Sequence, residues 1–310
     1  MSDEVLASPG VRRWRAPGFM LAVPAWAWFV MFFVLPVGFV ILLSFGAKPD
    51  IFRPYSLEVL SFDQYAKALD PAYGPTLKNT LRVGITGTIA CLVIALPFAY
   101  WLAVRVPPRW RGLLLGLVLV PFWTNFLVRT IGWQLIISPD GIASSALQQL
   151  GVISQPLNFL YSRSAVLLGV VYNYLPLMIL PLFVAFDRLD PTLREASKDL
   201  GASRYRTFTQ VTLPLAMPGV VAGLALVFIP LMGDYITAEV LGGAKGNMLG
   251  QLIASQFLSA QNWPLGAAMA VLLMLSITVT GLIFALVGVT VRGVLRRRRR
   301  IVIDVLEVAA

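Results

Sequence analysis

Residues 79–103 read NTLRVGITGTIACLVIALPFAYWLA, and Arg82 is the only charged residue among them. A helix needs about 20 mostly apolar residues to cross a bilayer, so this stretch is long enough. Arg82 lies near its start, where a long side chain can reach the lipid headgroups. Blocks of the same kind recur at residues 19–45, 112–137, 164–186, 216–237 and 266–291. The pattern predicts an all-α integral membrane protein with six transmembrane helices.

The overall composition argues against a soluble protein. Apolar residues make up 58% of the 310 residues and charged residues 13%, whereas soluble domains carry about 25% charged residues. Mean hydropathy is +0.78. The chain has no histidine, the commonest metal ligand and general base, and its single cysteine, Cys91, excludes an intrachain disulfide. We therefore predict neither catalytic residues nor a metal site, and a membrane enzyme is disfavoured.

The distribution of positive charge predicts the topology. Seventeen of the 25 lysines and arginines lie in the two terminal tails and in the loops after blocks two and four. Loops rich in lysine and arginine face the cytoplasm, so both termini and these two loops are predicted to be cytoplasmic. The chain then divides into a cytoplasmic tail at 1–18, a transmembrane domain at 19–291 and a basic cytoplasmic tail at 292–310. The arginine run at 296–300 favours contact with lipid headgroups over contact with nucleic acid.

Two further patterns concern the shape of the bundle. Prolines in membrane helices remove a backbone donor and predict kinks, although a single one is often tolerated. Prolines inside the apolar blocks include Pro24, Pro36, Pro97, Pro121, Pro176, Pro181 and Pro230. Outside the blocks, short helices are predicted at residues 61–69, 142–150 and 249–258.

The loop at 187–217 has the sequence signals of a folded elbow. Asp190 is followed by proline, which predicts a helix start, and the helix is expected to run from Thr192 to Leu200. Gly201 is placed to end it in a left-handed conformation. A second short helix is predicted over Arg204–Gln210, with Ser203 as its cap. Two short helices joined at a glycine predict a docking site for a cytoplasmic partner, or else an elbow that only lines the membrane surface.

The same loop resembles a known motif. Glu195-Ala196-Ser197, then Gly201, then Leu213-Pro214 is similar in residues and spacing to the EAA loop of binding-protein-dependent, type I ABC importer permeases, with Ser197 in place of an alanine. In that family the loop is the coupling helix that docks on the ATP-hydrolysing subunit. The resemblance implies a six-helix permease bundle whose ATPase-coupling residues are Glu195, Ala196, Ser197, Gly201, Leu213 and Pro214.

Other segments resemble one branch of this family. Residues 121–129, PFWTNFLVR, are similar to the third span of spermidine/putrescine permease subunits, as are residues 241–245 and the region from Asn262 to Ala268. The resemblance implies that the chain forms half of a translocation pathway for polyamines. Two alternatives stay open: an ABC permease for another small solute, or an ion-coupled secondary carrier that works alone.

Partners follow from the resemblance and from one absent motif. The sequence has no G-x-x-x-x-G-K-[ST] loop for ATP phosphates, so this chain is expected to bind no cofactor, and a partner ATPase uses the ATP and Mg²⁺. The family implies a second permease subunit, two ATP-binding subunits and a periplasmic or extracellular substrate-binding protein. It also implies a multi-pass location in the bacterial inner membrane, in contact with lipid and not with nucleic acid.

Ionisable residues inside membrane spans are costly and are therefore candidates for function. Asp234 and Glu239 lie toward the predicted external end of the fifth block, and Arg129 lies in the external half of the third. Either the two acids contact the ammonium groups of a passing polyamine, or Arg129 forms a structural ion pair with one of them. Neighbouring aromatic residues would add cation–π contacts in the first case and would only pack in the second. The predicted pathway residues are Asp234, Glu239, Tyr235, Trp123, Asn125, Arg129, Tyr172 and Tyr174.

Overall fold

The computed structural model describes residues 18–50, 52–243 and 246–308, so the predicted N-terminal tail lies outside it except for its last residue. The regular structure in these ranges is helical, apart from an isolated bridge between Ala47 and Ser56. Five described stretches are long and apolar enough to cross a membrane, and a bent pair of helices makes a sixth if it counts as one span. The prediction of an all-α multi-pass protein is confirmed.

The helices keep close to the predicted blocks. The short helices predicted in the loops are present as α3, α7 and α12, and α13 continues beyond the sixth block through residues 292–308. In chain order the α-helices are α1 (Gly18–Phe29), α2 (Leu35–Leu43), α3 (Asp63–Ala68), α4 (Gly74–Val104), α5 (Pro108–Trp123), α6 (Phe126–Ile137), α7 (Ile142–Gln149), α8 (Arg163–Asp187), α9 (Pro191–Asp199), α10 (Arg204–Thr207), α11 (Leu213–Met232), α12 (Leu249–Leu258) and α13 (Trp263–Val308).

Helices α4, α8 and α11 form the core of the bundle, with α8 packed against both of the others. Small residues let membrane helices approach closely. A β-carbon added at Gly87 on α4 would lie 2.9 Å from Val170 on α8, and one at Gly219 on α11 would lie 2.7 Å from the carbonyl oxygen of Pro181. Larger residues at these two positions would therefore push the core helices apart.

A second layer covers one side of this core. It consists of α13 with α12, α2 and α3 packed on it. Phe228 and Met232 of α11 pack with Leu249 of α12 and Leu273 of α13, which joins the layer to the core. The first span, α1 to α2, is exposed along most of its length and reaches the bundle through the contact of α2 with α13.

Two of the three π-helical segments in the described ranges, Val30–Val34 and Phe208–Thr212, each precede a leucine–proline pair. In both, the leucine N–H donates to the carbonyl five residues back instead of four. Proline has no N–H, and its ring crowds the carbonyl four residues earlier. The wider π turn accommodates Pro36 and Pro214 without breaking the helix.

This arrangement corrects the predicted end of the second elbow helix. The sequence signals ended that helix at Gln210, but the structure continues it through the π segment into α11. The result is one helical stretch from Arg204 to Met232.

Two apolar blocks expected to be continuous helices are broken. Block 112–137 forms α5 and α6, and the chain turns by 87° between α5 and the stretch Phe126–Gln149. Block 216–237 is interrupted where α11 ends at Met232, and helix resumes at Ile236. Apolar residues flank both breaks, so hydropathy alone does not reveal them.

Candidate functional site

The break in the third span begins three residues after Pro121. The Thr124 N–H donates to the Pro121 carbonyl at 3.3 Å, which closes a tight turn. The Asn125 side-chain oxygen then accepts the N–H of Leu127 at 2.8 Å. Asn125, predicted to line the pathway, is therefore the N-cap of α6, where amide and carboxylate side chains satisfy otherwise unpaired backbone donors.

The break in the fifth span repeats this chemistry with an acidic cap. The Gly233 N–H donates to the Pro230 carbonyl at 3.2 Å. One oxygen of Asp234 accepts the N–H of Thr237 at 2.9 Å, and the other accepts its hydroxyl at 2.6 Å. Asp234 therefore caps the short helical stretch 236–242, and both of its side-chain oxygens are used.

This second break lies at half the depth of the bundle, so the predicted position of Asp234 near the end of its span is wrong. After the break the chain stays beside α8. The close contact is seen at Gly169 on α8, where an added β-carbon would touch Thr237 and Leu241. The Tyr174 side chain lies beside the Asp234 carboxyl group. Tyr174 lies eleven residues into the 25-residue helix α8, about 16 Å from its first residue.

Tyr174 also brings the two breaks together. Its ring packs against Phe126, the first residue of α6, with ring centres 6.1 Å apart. The exposed fraction of Asp234 is 6% and that of Tyr174 is 8%. Tyr174 therefore stands between the buried Asp234, at the fifth-span break, and Phe126, directly after the third-span break.

Arg129 does not form the ion pair that the sequence left open. Among the described residues it has no acidic partner. Its guanidinium carbon instead lies 5.4 Å from the ring centre of Phe122 and 5.6 Å from that of Phe126, which stand on opposite sides of the third-span break. Its Nε and Nη1 atoms are buried without a hydrogen-bond partner in the described part of the chain.

The residue after Arg129, Thr130, forms a polar pair with Asn173 of α8. The Asn173 side-chain NH₂ donates to the Thr130 hydroxyl at 3.2 Å, while the Asn173 side-chain oxygen is buried and unpaired within the described ranges. Buried polar groups usually bond to protein, water or ligand. The neighbourhood of the two breaks thus holds spare donors on Arg129 and a spare acceptor on Asn173.

The other predicted pathway residues are more dispersed. Glu239 is exposed and accepts a hydrogen bond from the Gln251 side chain of α12 at 2.5 Å. Tyr172 packs edge-on against Trp133 of α6. Trp123 and Tyr235 expose 80% and 45% of their surface. The structure brings together Asp234, Tyr174 and the start of α6, but it does not place Glu239 with them.

The elbow has the local structure that its sequence predicts. The Asp190 side chain accepts the Thr192 N–H at 2.9 Å, and this hydrogen bond holds the pKa of the Asp190 carboxyl group below its usual value. Gly201 has φ +81°, a left-handed conformation, and no atom would lie within 4 Å of an added β-carbon. The Ser203 hydroxyl oxygen accepts the Arg206 N–H at 3.3 Å. Within the described chain, Gly201 therefore serves the left-handed backbone conformation and not a close approach.

The other residues of the EAA-type motif differ from one another in burial and in their contacts. The Ser197 hydroxyl lies 3.1 Å from the Thr207 hydroxyl, so the departure from alanine adds a hydrogen bond between α9 and α10. Glu195 and Ala196 are exposed. Leu213 and Pro214 lie at the start of α11, inside the continuous helical stretch.

Sequence reasoning missed the capping roles of Asn125 and Asp234, the bonds of Thr237 to Asp234, and the pair formed by Thr130 and Asn173. A usable signal was present. Residues 121–125 read PFWTN and residues 230–234 read PLMGD, each a proline followed four residues later by a strong helix-capping residue. The ion pair between Arg111, on α5, and Asp187, at the end of α8, was also missed; its nitrogen and oxygen are 2.5 Å apart.

Several known proteins are similar in sequence to this chain over most of its length. The spermidine/putrescine transport system permease protein PotB of Salmonella typhimurium (strain SL1344) is 42% identical over 246 residues, 79% of this chain and 85% of that protein. PotB of Escherichia coli (strain K12) is 41% identical over 246 residues, 79% of this chain and 88% of that protein. The inner membrane ABC transporter permease protein YdcU of the same strain is 30% identical over 269 residues, 82% of this chain and 85% of that protein.

The fold has a counterpart among solved structures. A crystal structure of a bacterial ABC transporter involved in the import of the acidic polysaccharide alginate matches with a TM-score of 0.67 at 16% identity, over 86% of this chain and 92% of that chain. The sequence profile of a single family matches residues 95–300, which include the elbow and both helix breaks. The family that the sequence resemblance indicated is thereby confirmed. The chain belongs to the family of binding-protein-dependent transport system inner membrane components.

Proposed function

We propose that this chain is the permease subunit of an ATP-binding-cassette importer and forms half of a pathway for polyamines such as spermidine and putrescine. The observation that carries the proposal is Asp234, a buried acidic side chain at half-depth with no basic partner among the described residues. An intramembrane acid without a counter-ion is a functional candidate, and a cationic cargo supplies the missing charge. Permeases at 41–42% identity are named for spermidine and putrescine, which supports this choice of cargo.

The chemistry of the site suits an ammonium group. A polyamine loses hydration when it enters a narrow path, and a fixed carboxylate replaces part of that solvation through charge-assisted hydrogen bonds. Thr237 holds the Asp234 side chain in place, so little side-chain entropy is lost when a cation arrives. Tyr174, Tyr235, Tyr172 and Trp123 offer aromatic faces, each worth about 0.5–2 kcal/mol to a nearby cation. Glu239, exposed, offers a second carboxylate along the same chain segment.

We assign coupling to the elbow. One face of α9 is apolar and exposed: Leu193 and Leu200 expose 45% and 89% of their surface, and Ala196 lies between them. A short amphipathic helix with an exposed apolar face is suited to a groove in a partner protein. The partner proposed for this face is the ATP-binding subunit, and the proposal assigns the use of ATP and Mg²⁺ to that subunit.

The rest of the assembly follows from the same assignment. A second permease subunit completes the pathway, two ATP-binding subunits bind the elbows, and a periplasmic or extracellular binding protein delivers the cargo. Both termini are assigned to the cytoplasm from the charge distribution. A reporter that is active only in the cytoplasm, fused after Arg300, is expected to be active, and activity of a periplasmic reporter there would contradict the orientation.

Uptake of radiolabelled spermidine tests the cargo and the site. The assembled transporter is expressed in a bacterium that lacks other polyamine importers. Asp234→Asn keeps the shape and one cap acceptor but removes the charge, so uptake is expected to fall about tenfold or more, the effect of one charge-assisted contact. Glu239→Gln is expected to have a smaller effect, and Asp140→Asn, at an exposed acidic residue in another loop, serves as the matched control.

Two results would overturn parts of this assignment. Normal uptake by Asp234→Asn/Glu239→Gln would remove both acids from the pathway. An assembled wild-type complex that takes up no polyamine would instead favour another small solute as cargo.

The coupling role has a separate test. Gly201→Asp places a side chain at a left-handed position and is expected to lower both ATPase copurification and uptake, while membrane insertion stays normal. Gly201→Asn is the control, because asparagine adopts this conformation more readily. If the purified single chain transports polyamine into ATP-free liposomes, the chain is an ion-coupled carrier and the ABC assignment is wrong.

A further inference from the structure

A cleft of about 420 Å³ opens between the elbow and the end of α4. Arg105 at the end of α4, Arg194 and Lys198 on α9, and Arg204 on α10 line it with positive charge. Glu195 is the single acidic residue in its lining. The cleft therefore carries four basic groups against one acid, on the face that the positive-inside rule assigns to the cytoplasm.

None of the four basic side chains is engaged elsewhere in the described structure. The ion pair recorded for the described residues joins Arg111 and Asp187, outside this cleft, and no described acceptor bonds to the side chains of the four. Like charges that share a small space repel one another, and a bound anion relieves that repulsion. The cleft is thus prepared for an anion that the described chain does not itself supply.

The position of the lining residues on α9 separates this cleft from the proposed ATPase-docking surface. Arg194, Glu195 and Lys198 lie on one face of the helix, whereas Leu193 and Leu200 are exposed on another. The two faces can therefore serve two different ligands. The inner wall of the cleft is aromatic, with Tyr100 and Phe208 in contact at 5.0 Å between ring centres.

We propose that this cleft binds a phosphate group, either in the headgroup of an anionic phospholipid or as free phosphate. Arginine and lysine side chains bind phosphate oxygens through charge-assisted hydrogen bonds, and arginine does so in a fixed two-pronged geometry. Tyrosine at the membrane surface is typical of a headgroup-level site. The bound phosphate holds α4, α9 and α10 together, so it stabilises the elbow in one position relative to the membrane helices.

The test uses the full chain purified in detergent and two matched double variants. Arg194→Gln/Lys198→Gln removes two charges from the cleft, and Arg188→Gln/Arg206→Gln removes two exposed charges from the same face outside its lining. Lipid arms use nanodiscs of phosphatidylglycerol or phosphatidylcholine, with retained lipid measured by native mass spectrometry. A separate arm adds inorganic phosphate, with sulfate-free chloride as the salt control, and measures the thermal unfolding temperature.

The expected result is an affinity for the phosphate probe that is about tenfold or more weaker in the cleft variant and nearly unchanged in the control variant. Retention of phosphatidylglycerol by the wild type assigns the site to a lipid headgroup, and a shift in the unfolding temperature with inorganic phosphate alone assigns it to free phosphate. The wild-type titrations stand even if a variant fails to fold.

Three outcomes would overturn the proposal. The first is that neither probe binds the wild type. The second is that both double variants lose binding equally, which shows only general surface charge. The third is that the cleft variant loses ATPase copurification while binding of both probes is unchanged, which assigns the cleft to acidic side chains of that partner. All three are independent of polyamine uptake, so they leave the proposed cargo untouched.

Discussion

The third and fifth spans are interrupted by the same local chemistry, but the two breaks have different surroundings. In each, a proline accepts a hydrogen bond from the N–H three residues later, and the next residue caps the following helix. In the third span the cap is Asn125, which is neutral and exposed, and the chain turns by 87°. In the fifth span the cap is Asp234, which is acidic and 6% exposed, and the chain continues beside α8.

The neutral cap Asn125 and the acidic cap Asp234 show which part of each break serves the course of the backbone and which part needs an acidic group. A helix cap needs only an acceptor, and asparagine and aspartate fill that need about equally well. A buried acidic cap costs more to desolvate, so Asp234 is not explained by capping alone. The third-span break thus sets the course of the chain, whereas the fifth-span break also places a carboxyl group at half-depth.

The largest effect is expected from Asp234→Ala. This change leaves the buried N–H and hydroxyl of Thr237 without their acceptor, and the free energy of unfolding should fall by about 2–4 kcal/mol. Unfolding by dodecyl sulfate titration in mixed micelles measures this, with Asp140→Ala as the exposed control. If the free energy of unfolding falls by less than about 1 kcal/mol, the usual effect of losing an exposed N-cap, the fifth-span break does not depend on Asp234.

A smaller loss is expected from Arg129→Gln. The guanidinium group contacts one ring on each side of the third-span break, and each contact is worth about 0.5–2 kcal/mol. Removing two buried, unpaired nitrogen atoms offsets part of this, which leaves a net loss of about 1 kcal/mol.

The same variant should loosen the 87° turn. Spin labels on α5 and α7 should report a broader distance distribution than in the wild type, while Arg163→Gln at the start of α8 leaves it unchanged. An unaltered distribution in Arg129→Gln would mean that the bend is set by the proline and the cap alone.

Asn125→Ala is expected to cost about 1 kcal/mol, the usual effect of losing an exposed N-cap. Because this position carries no charge, polyamine uptake should change by less than about threefold, the margin that a 0.6 kcal/mol effect allows. Parallel unfolding and uptake measurements beside Asp234→Asn test the contrast directly. If both variants lose uptake equally, the distinction between the two breaks is wrong.

The smallest effect is expected from Asn125→Asp, which makes the third-span break resemble the fifth. Capping should be unchanged, and the new carboxylate would lie four residues before Arg129, a spacing at which helix ion pairs are worth about 0.3–0.5 kcal/mol. The gain should disappear at high salt, which unfolding at two ionic strengths can show. A salt-independent stabilisation would point to a change other than an ion pair.

Local signals predicted the fold well where neighbours in sequence decide the structure. The lengths of the apolar blocks predicted the spans, and Asp190, Gly201 and Ser203 predicted the elbow, because caps and left-handed turns depend on residues two or three positions away. The continuation past Gln210 was not predicted, since a proline usually ends a helix and only the π turn prevents this here.

The candidate site was predicted in part. Asp234, Tyr174 and Arg129 were all chosen as intramembrane polar or aromatic residues, but their partners depend on how distant helices pack. The pairing of Arg129 with an acid, one of the two alternatives left open, is not formed, because the break turns its side chain toward two phenylalanine rings. The depth of Asp234 was wrong because hydropathy does not show that the chain after Met232 stays beside α8.

The continuous stretch from Arg204 to Met232 has a mechanical consequence. Its 29 residues span about 43 Å, from the elbow to the residue before the fifth-span break. An axial push or a twist applied to the elbow therefore arrives at Gly233 and Asp234 through one backbone, without crossing a loop. Within this rod the π segment Phe208–Thr212 is one hydrogen-bond register away from regular helix. Shifting that register by a single residue would turn the elbow against the rod by about 100°.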